Sequence, residues 1–152
     1  MNTPEAILAA ARERAAGQPY AGAVTPEEAF ALLQLDPRAK LVDVRTNAER
    51  DWVGRAAVPE SQHVAVEWAT YPGGQPNPAF GAQLEQVARK DEVLLFLCRS
   101  GVRSRHSARV ATEHGFTESY DILEGFEGDR DLDGHRKTIS GWCKAGLPWI
   151  GA

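Results

Sequence analysis

The sequence predicts an α/β domain, a mostly parallel sheet between layers of helix. Three observations carry that expectation. Short strand-like runs alternate with helix-like runs along the chain. One of them, "EVLLFLC" at 92–98, is almost continuously apolar, as a strand covered on both faces must be. Directly after it the period changes. Ser104, Ser107, Ala108, Ala111 and Gly115 fall on one helical stripe of small residues that allows close packing against a sheet.

In chain order, Thr3-Pro4-Glu5 opens the first helix, with a hydroxyl at the N-cap, proline at the first helical position and acid in the first turn. Thr25-Pro26-Glu27-Glu28 repeats the signal for a second helix. A strand follows at 40–45 ("KLVDVR"), then a short helix that Thr46 and Glu49 mark with a capping box. A second strand is expected at 62–66 ("QHVAV"). Residues 71–78 ("YPGGQPNP") hold three prolines and two glycines and read as a loop. Asn77-Pro78 introduces a helix over 79–90. The apolar strand at 92–98 ends on Cys98, residues 99–102 turn, and a helix begins near Val102 or Arg103. A last strand is expected at 119–123 ("SYDIL").

The 152 residues suit one domain with a core large enough to stand without disulfides. Hydrophobic content of 43%, charged content of 25% and a formal net charge of −4 argue against a nucleic-acid-binding or membrane-surface role, which needs a broad basic face. No apolar run approaches the roughly 18 residues of a membrane span. "AILAAA" at 6–11 is followed by Arg12, Glu13 and Arg14 and reads as helix, not as a signal peptide. Two cysteines with no ligand or pairing pattern suggest a reducing compartment, and the cytoplasm is the expectation. No internal repeat or low-complexity segment interrupts the chain.

In this acidic chain the densest basic cluster lies directly behind a cysteine. Arg99, Arg103, Arg105 and Arg109 follow Cys98 with no acid among them. In parallel α/β sheets, sites gather at the carboxyl ends of strands, which is where Cys98 falls. A tight strand–turn–helix connection leaves first-turn amides without helical partners, and Gly101 lets the backbone bend so that they converge. The helix N-terminus adds partial positive charge, and Arg99 and Arg103 add full charges. The expected product is an anion nest, lined by residues Arg99, Ser100, Gly101, Val102, Arg103 and Ser104, with a sulfur inside it. Such surroundings lower a cysteine pKa from about 8.5 into the range of roughly 3.5–7.5 and yield the nucleophilic thiolate. A cysteine ending a buried strand is often only a small hydrophobe. The two cations with no acid to pair them are what point to chemistry.

"CRSGVRS" resembles the active-site loop of rhodanese-like domains, in which a cysteine is followed by two residues, a glycine, one residue, an arginine and a small residue. Cys98, Gly101, Arg103 and Ser104 occupy those places. "LVDVRTNAER" (41–50), "YDILEGFEG" (120–128) and "GWCKAGLPW" (141–149) resemble further family segments in the same order. The resemblance implies one rhodanese-like domain over 1–152, with its core at about 24–149 and 1–20 as a helical extension. It implies a central, mostly parallel sheet of about five short strands with helices on both faces. It implies a sulfurtransferase that carries sulfane sulfur from thiosulfate or a related donor through a Cys98 persulfide to a thiophile, a thiol or an acceptor protein, with no metal or other cofactor. Asp43, at the end of a neighbouring strand in the family's arrangement, and Arg50 are the supporting residues, bracing the loop or pairing with each other.

Two other readings stand beside this one. Cysteine phosphatases and arsenate reductases also combine thiolate, nest and arginine, but they typically place five residues between cysteine and arginine, and here four separate Cys98 from Arg103. Related domains also act as sulfur carriers or regulatory binding modules. The chain departs from the family at "GRAAVPESQHV" (54–64), where Arg55 stands in place of a frequent histidine, and in the insertion 67–78. Both are candidates to line the pocket mouth, as are Trp68 and Tyr71. Asp129, Asp131, Asp133 and Gly134 imitate the start of a calcium loop, but the twelfth position is Ser140, so a solvated turn is the expectation. Cys143 is expected to be a free thiol.

Overall fold

Threonine starts three helices of the computed structural model, which describes residues 3–151. Met1, Asn2 and Ala152, included in the expected domain, lie outside the described residues. Thr3 caps α1 (Pro4–Arg14), its hydroxyl accepting from the Ala6 amide at 3.1 Å. Thr25 with Glu28 and Thr46 with Glu49 form complete capping boxes on α2 (Pro26–Leu35) and α3 (Asn47–Trp52). The helix expected at 79–90 is shorter, α4 (Phe80–Val87). Asn77 acts one step early, its Oδ1 accepting from the Ala79 amide. At the other end Glu92 takes the Arg89 amide at 2.8 Å while paired with Lys40, and this pulls the chain out of helix. α5 (Val102–Glu113) begins where the change of period places it.

Among the described residues, nine strands run in the order β1 (Gly22–Val24), β2 (Lys40–Asp43), β3 (Arg55–Ala56), β4 (His63–Ala65), β5 (Ala69–Thr70), β6 (Gln75–Pro76), β7 (Leu94–Leu97), β8 (Ser119–Ile122) and β9 (Trp149–Ile150). Five form the main sheet, ordered β1-β8-β7-β2-β4, with every neighbouring pair parallel. The mostly parallel sheet of about five strands is therefore borne out. The four expected strands are present but trimmed at their ends. Both β2 and β7 stop where their next residues turn to build the site. β1 has no counterpart among the expected strands because three small residues carry too little pattern. The stretch 71–78 is not simply a loop: residues 71–74 turn and 75–76 form the second strand of a hairpin in which Ala69 faces Pro76 and Thr70 faces Gln75. β3 and β9 make a separate antiparallel pair.

Alternation along β7 divides the core. Leu95 and Leu97 join Ile7, Ala11, Leu32, Leu33, Ile122 and Trp142 on the α1–α2 face. Leu94, Phe96 and Cys98 join Phe80, Leu84, Ala108, Ala111 and Phe116 on the α4–α5 face. Each fully buried leucine or phenylalanine contributes about 1.5–3 kcal/mol relative to exposure. The N-terminal helical extension shares this core. It lies so close to β1 that a Cβ on Gly22 would stand 2.7 Å from the Ala11 carbonyl. The small stripe on α5 is fully buried at Ser104, Ser107, Ala108 and Ala111. Among the described residues, no helix is long and apolar enough to cross a membrane.

Candidate active site

β7 is the central strand of the sheet, and Cys98 is the first residue beyond it, only 1% exposed and facing α5. The chain must then reverse into α5 within three residues. Gly101 makes this possible with φ +106°, a left-handed conformation that strains any residue bearing a Cβ. Its amide donates to Cys98 Sγ at 3.0 Å. No side chain caps α5 and no acid occupies its first turn, so the positive end of that helix is left to the sulfur and its ligands.

The six predicted loop residues divide into distinct roles. Gly101 and Ser104 hydrogen-bond to the sulfur, Ser104 through its hydroxyl at 3.3 Å. The expected convergence of several amides on Sγ is narrower in the fold: among the described residues, the Gly101 amide alone bonds the sulfur. Arg99 is exposed at the mouth, Ser100 is half-buried, and Val102 is 51% exposed. Arg103 requires a correction. The sequence presents it as a cation without an acid, but its two terminal nitrogens bind Glu49 of α3 at 2.7 and 2.9 Å. The partner lies 54 positions back, beyond the reach of a local charge pattern. Burial pushes the Glu49 carboxyl up, but the bonds from Arg103 and the Thr46 amide outweigh it and hold the group at about 2. The same contact raises the Arg103 guanidinium further above its ordinary value.

The supporting residues Asp43 and Arg50 are brought together as an ion pair, but Asp43 has a nearer partner. Asp43 is fully buried and is bound chiefly by Arg45, through contacts of 3.0, 3.3 and 2.8 Å. Arg50 stands 3.8 Å from Asp43 and donates to the Arg45 carbonyl and to Asn47. Arg45, absent from the predicted site, is itself 0% exposed and stacks 4.3 Å over the Phe126 ring. Asp43 therefore braces the frame beneath the loop: Asp43 with Arg45, Arg45 with Phe126, and the Phe126 amide with the Cys98 carbonyl at 2.8 Å. The turn after β8 completes the clasp. The Arg99 carbonyl accepts from the amides of Glu127 and Gly128. Gly125 has φ +70°, and a Cβ there would lie 2.5 Å from the Arg99 carbonyl.

Sequence reasoning missed Asp121, which is 1% exposed on β8. Ser104 Oγ donates to its Oδ1, and burial pushes the carboxyl up to about 7 against the opposing Ser104 bond and the Arg105 charge. The available signal was an acid in the middle of the apolar run "SYDIL".

Tyr71 packs edge-on against Trp52 and Trp68 against Phe80. Arg55 lies exposed in β3, opposite Ile150. Burial pushes the Cys143 thiol up to about 11, and its amide bonds the Phe126 carbonyl. The Asp131 carboxylate accepts from the Asp133 and His135 amides and the Thr138 hydroxyl, which makes the calcium-like stretch a self-satisfied turn. Among the described residues, no group of three or more His, Cys, Asp or Glu side chains is placed to hold a metal.

A thiol at the end of the central parallel strand, turned inward by a left-handed glycine and facing an uncapped helix N-terminus, defines a cysteine-loop α/β domain. Residues 25–131 match the model of the rhodanese-like domain, and the chain belongs to that family. It is 45% identical to Rv0390 from M. tuberculosis, whose crystal structure superposes with a TM-score of 0.79 over 88% of this chain and 99% of that one. An uncharacterized protein of Rickettsia conorii is 31% identical over 80% of this chain and 91% of its own. Thiosulfate sulfurtransferase GlpE of Haemophilus influenzae is 27% identical over 82% of this chain and 90% of its own.

Proposed function

We propose that the protein is a sulfurtransferase in which Cys98 carries a sulfane sulfur as a persulfide. The observation that carries this reading is the Gly101 amide 3.0 Å from a buried Cys98 Sγ at the mouth of an uncapped helix. The family includes sulfurtransferases, and the likeness to GlpE supports thiosulfate as a donor. In the first half-reaction the Cys98 thiolate attacks the outer sulfur of thiosulfate. A bond forms between the two sulfurs, the bond to the sulfonate sulfur breaks, and sulfite leaves with its electron pair. In the second, a thiophile takes the outer sulfur and the thiolate returns, so kinetics are ping-pong. Arg99, exposed beside the loop, is the cation available to attract the donor's oxyanion, while Arg103 is held in the wall by Glu49. The uncapped amides at the start of α5 favour the anionic persulfide. Cyanide serves as acceptor in an assay, and a small thiol or an acceptor protein serves in the cell. The four residues between Cys98 and Arg103 make a smaller ring than that of cysteine phosphatases, which suits one sulfur atom better than a phosphoryl group.

Intact-protein mass spectrometry after mixing with thiosulfate tests the proposal. The expected result is a gain of one sulfur atom that cyanide removes and that Cys98→Ser lacks. An unchanged mass together with Cys98-dependent release of phosphate from an aryl phosphate overturns it.

A further inference from the structure

Cys98 is nearly closed to solvent, yet it has to lose a proton before it attacks. The structure offers that proton an inward route. Sγ lies 3.3 Å from Ser104 Oγ, and Ser104 Oγ in turn bonds Asp121 Oδ1. All three side chains are buried, the serine completely. Asp121 has no counter-ion in contact, and its Oδ2 is buried without a hydrogen-bond partner among the described residues. A bare carboxylate so placed is costly, whereas a carboxylic acid suits the site. The charged and titratable groups facing it are Arg105 and Cys98 from the α5 side and Tyr20 from the segment before β1; Phe96 and Ala23 flank it on the neighbouring strands.

We propose that Asp121 is a positioning residue that shares one proton with Cys98 through Ser104. In one state sulfur holds the proton and donates to Ser104 Oγ, and Ser104 donates to the Asp121 carboxylate. In the other, the S–H bond breaks as a new O–H bond forms on Ser104, the original Ser104 O–H bond breaks, and its proton moves to Asp121. Ser104 then donates to the thiolate beside the Gly101 amide. The pair carries one negative charge in both states, so the nucleophile forms without a second buried anion and without a base from solvent. The raised Asp121 carboxyl, near 7, places the acid within reach of neutral pH. Such a pair titrates in two coupled steps that belong to both groups.

This inference rests on the reading of Cys98 as the sulfur-accepting nucleophile. Its test therefore uses iodoacetamide, not thiosulfate, and the two can fail separately. Alkylation of Cys98, identified by mass spectrometry, is followed against pH. The wild-type profile should be broad, with two inflections. Asp121→Asn cannot ionise, and its amide can donate permanently to Ser104, leaving the serine hydroxyl to donate to the thiolate. Its profile should collapse to one inflection, at lower pH than the upper wild-type step. Infrared spectroscopy gives a second readout. A protonated carboxyl C=O band is expected near neutrality, absent from Asp121→Asn and weakened in Cys98→Ala, where no thiolate opposes ionisation. Identical alkylation profiles in wild type and Asp121→Asn, or a carboxyl band indifferent to Cys98→Ala, would overturn the proposal. Should Asp121→Asn fail to fold, Ser104→Ala removes the bridging hydroxyl, and its alkylation profile must then differ from wild type in position or breadth; an unchanged profile overturns the proposal.

Discussion

Replacing Glu49 by Gln tests whether the Arg103 contact organises the loop. Gln is isosteric, and its amide oxygen can still accept from Thr46, so the cap on α3 is retained. What it removes is the charge facing Arg103, whose nitrogens lie 2.7 and 2.9 Å away. A carboxyl held at about 2 instead of 4.5 corresponds to about 3 kcal/mol at neutral pH. Because the two side chains remain 25% and 20% exposed, solvent screening lowers the expected loss to about 1–3 kcal/mol. The sign follows from the depressed value: this stabilisation is present in full above the unfolded pKa of 4.5 and disappears as pH falls through 2. Urea denaturation should therefore show wild type ahead of Glu49→Gln at pH 7, with the gap roughly halved by pH 3. Arg103→Gln should erase most of the gap in a double-mutant cycle, because the two groups then share a single loss. A gap that is constant from pH 3 to pH 7, or additive losses in the double variant, would refute the reasoning.

Two further perturbations probe the frame behind the sulfur. Gly125→Ala adds a Cβ at φ +70°, 2.5 Å from the Arg99 carbonyl, and should cost about 3 kcal/mol and displace the loop enough to suppress Cys98 alkylation; Gly134→Ala, at φ +81° with nothing within 4 Å, should cost only about 1 kcal/mol and leave alkylation intact. Asp43→Asn leaves the fully buried Arg45 without its counter-charge and should destabilise by about 3–5 kcal/mol in urea denaturation, more than Arg45→Met, which leaves the buried Asp43 with Arg50 still 3.8 Å away.

The sequence makes legible what is local. Thr25 with Glu28 and Thr46 with Glu49 announce their helices because each capping box lies within four residues. The run ending at Cys98 announces a central strand because a short, continuously apolar segment must be covered on both faces, and the small stripe from Ser104 to Ala111 announces the face that packs on it. The nucleophile and its glycine turn are readable for the same reason. What escaped is non-local. Glu49 meets Arg103 across 54 positions, and Asp121 meets Ser104 across 17. Arg45 leaves no mark in the sequence because arginine at the end of a strand ordinarily reaches solvent; only the fold shows Phe126 closing over it. The strand at 22–24 escaped because its pairing with β8 is a property of the sheet and leaves little mark on three small residues.

These non-local contacts change the electrostatic account of the loop. Read from sequence, Arg99 and Arg103 are equivalent free cations behind a sulfur. In the fold their roles separate. Arg103 is paired with a carboxylate held well below its ordinary range, so its charge, which still faces Cys98, is partly offset and its side chain is fixed against α3. Arg99 keeps its side chain in solvent while its carbonyl is gripped by two amides, which leaves a mobile charge on an immobile stem. A free charge at the mouth acts on the approach of an anion, and salt screens it. The Gly101 amide and the Ser104 hydroxyl act on the sulfur itself, inside a buried site that salt reaches poorly. Raising ionic strength should therefore weaken capture of an anionic donor while leaving alkylation by a neutral reagent nearly unchanged. Equal salt sensitivity of the two reactions would place Arg99's charge at the sulfur and contradict this division.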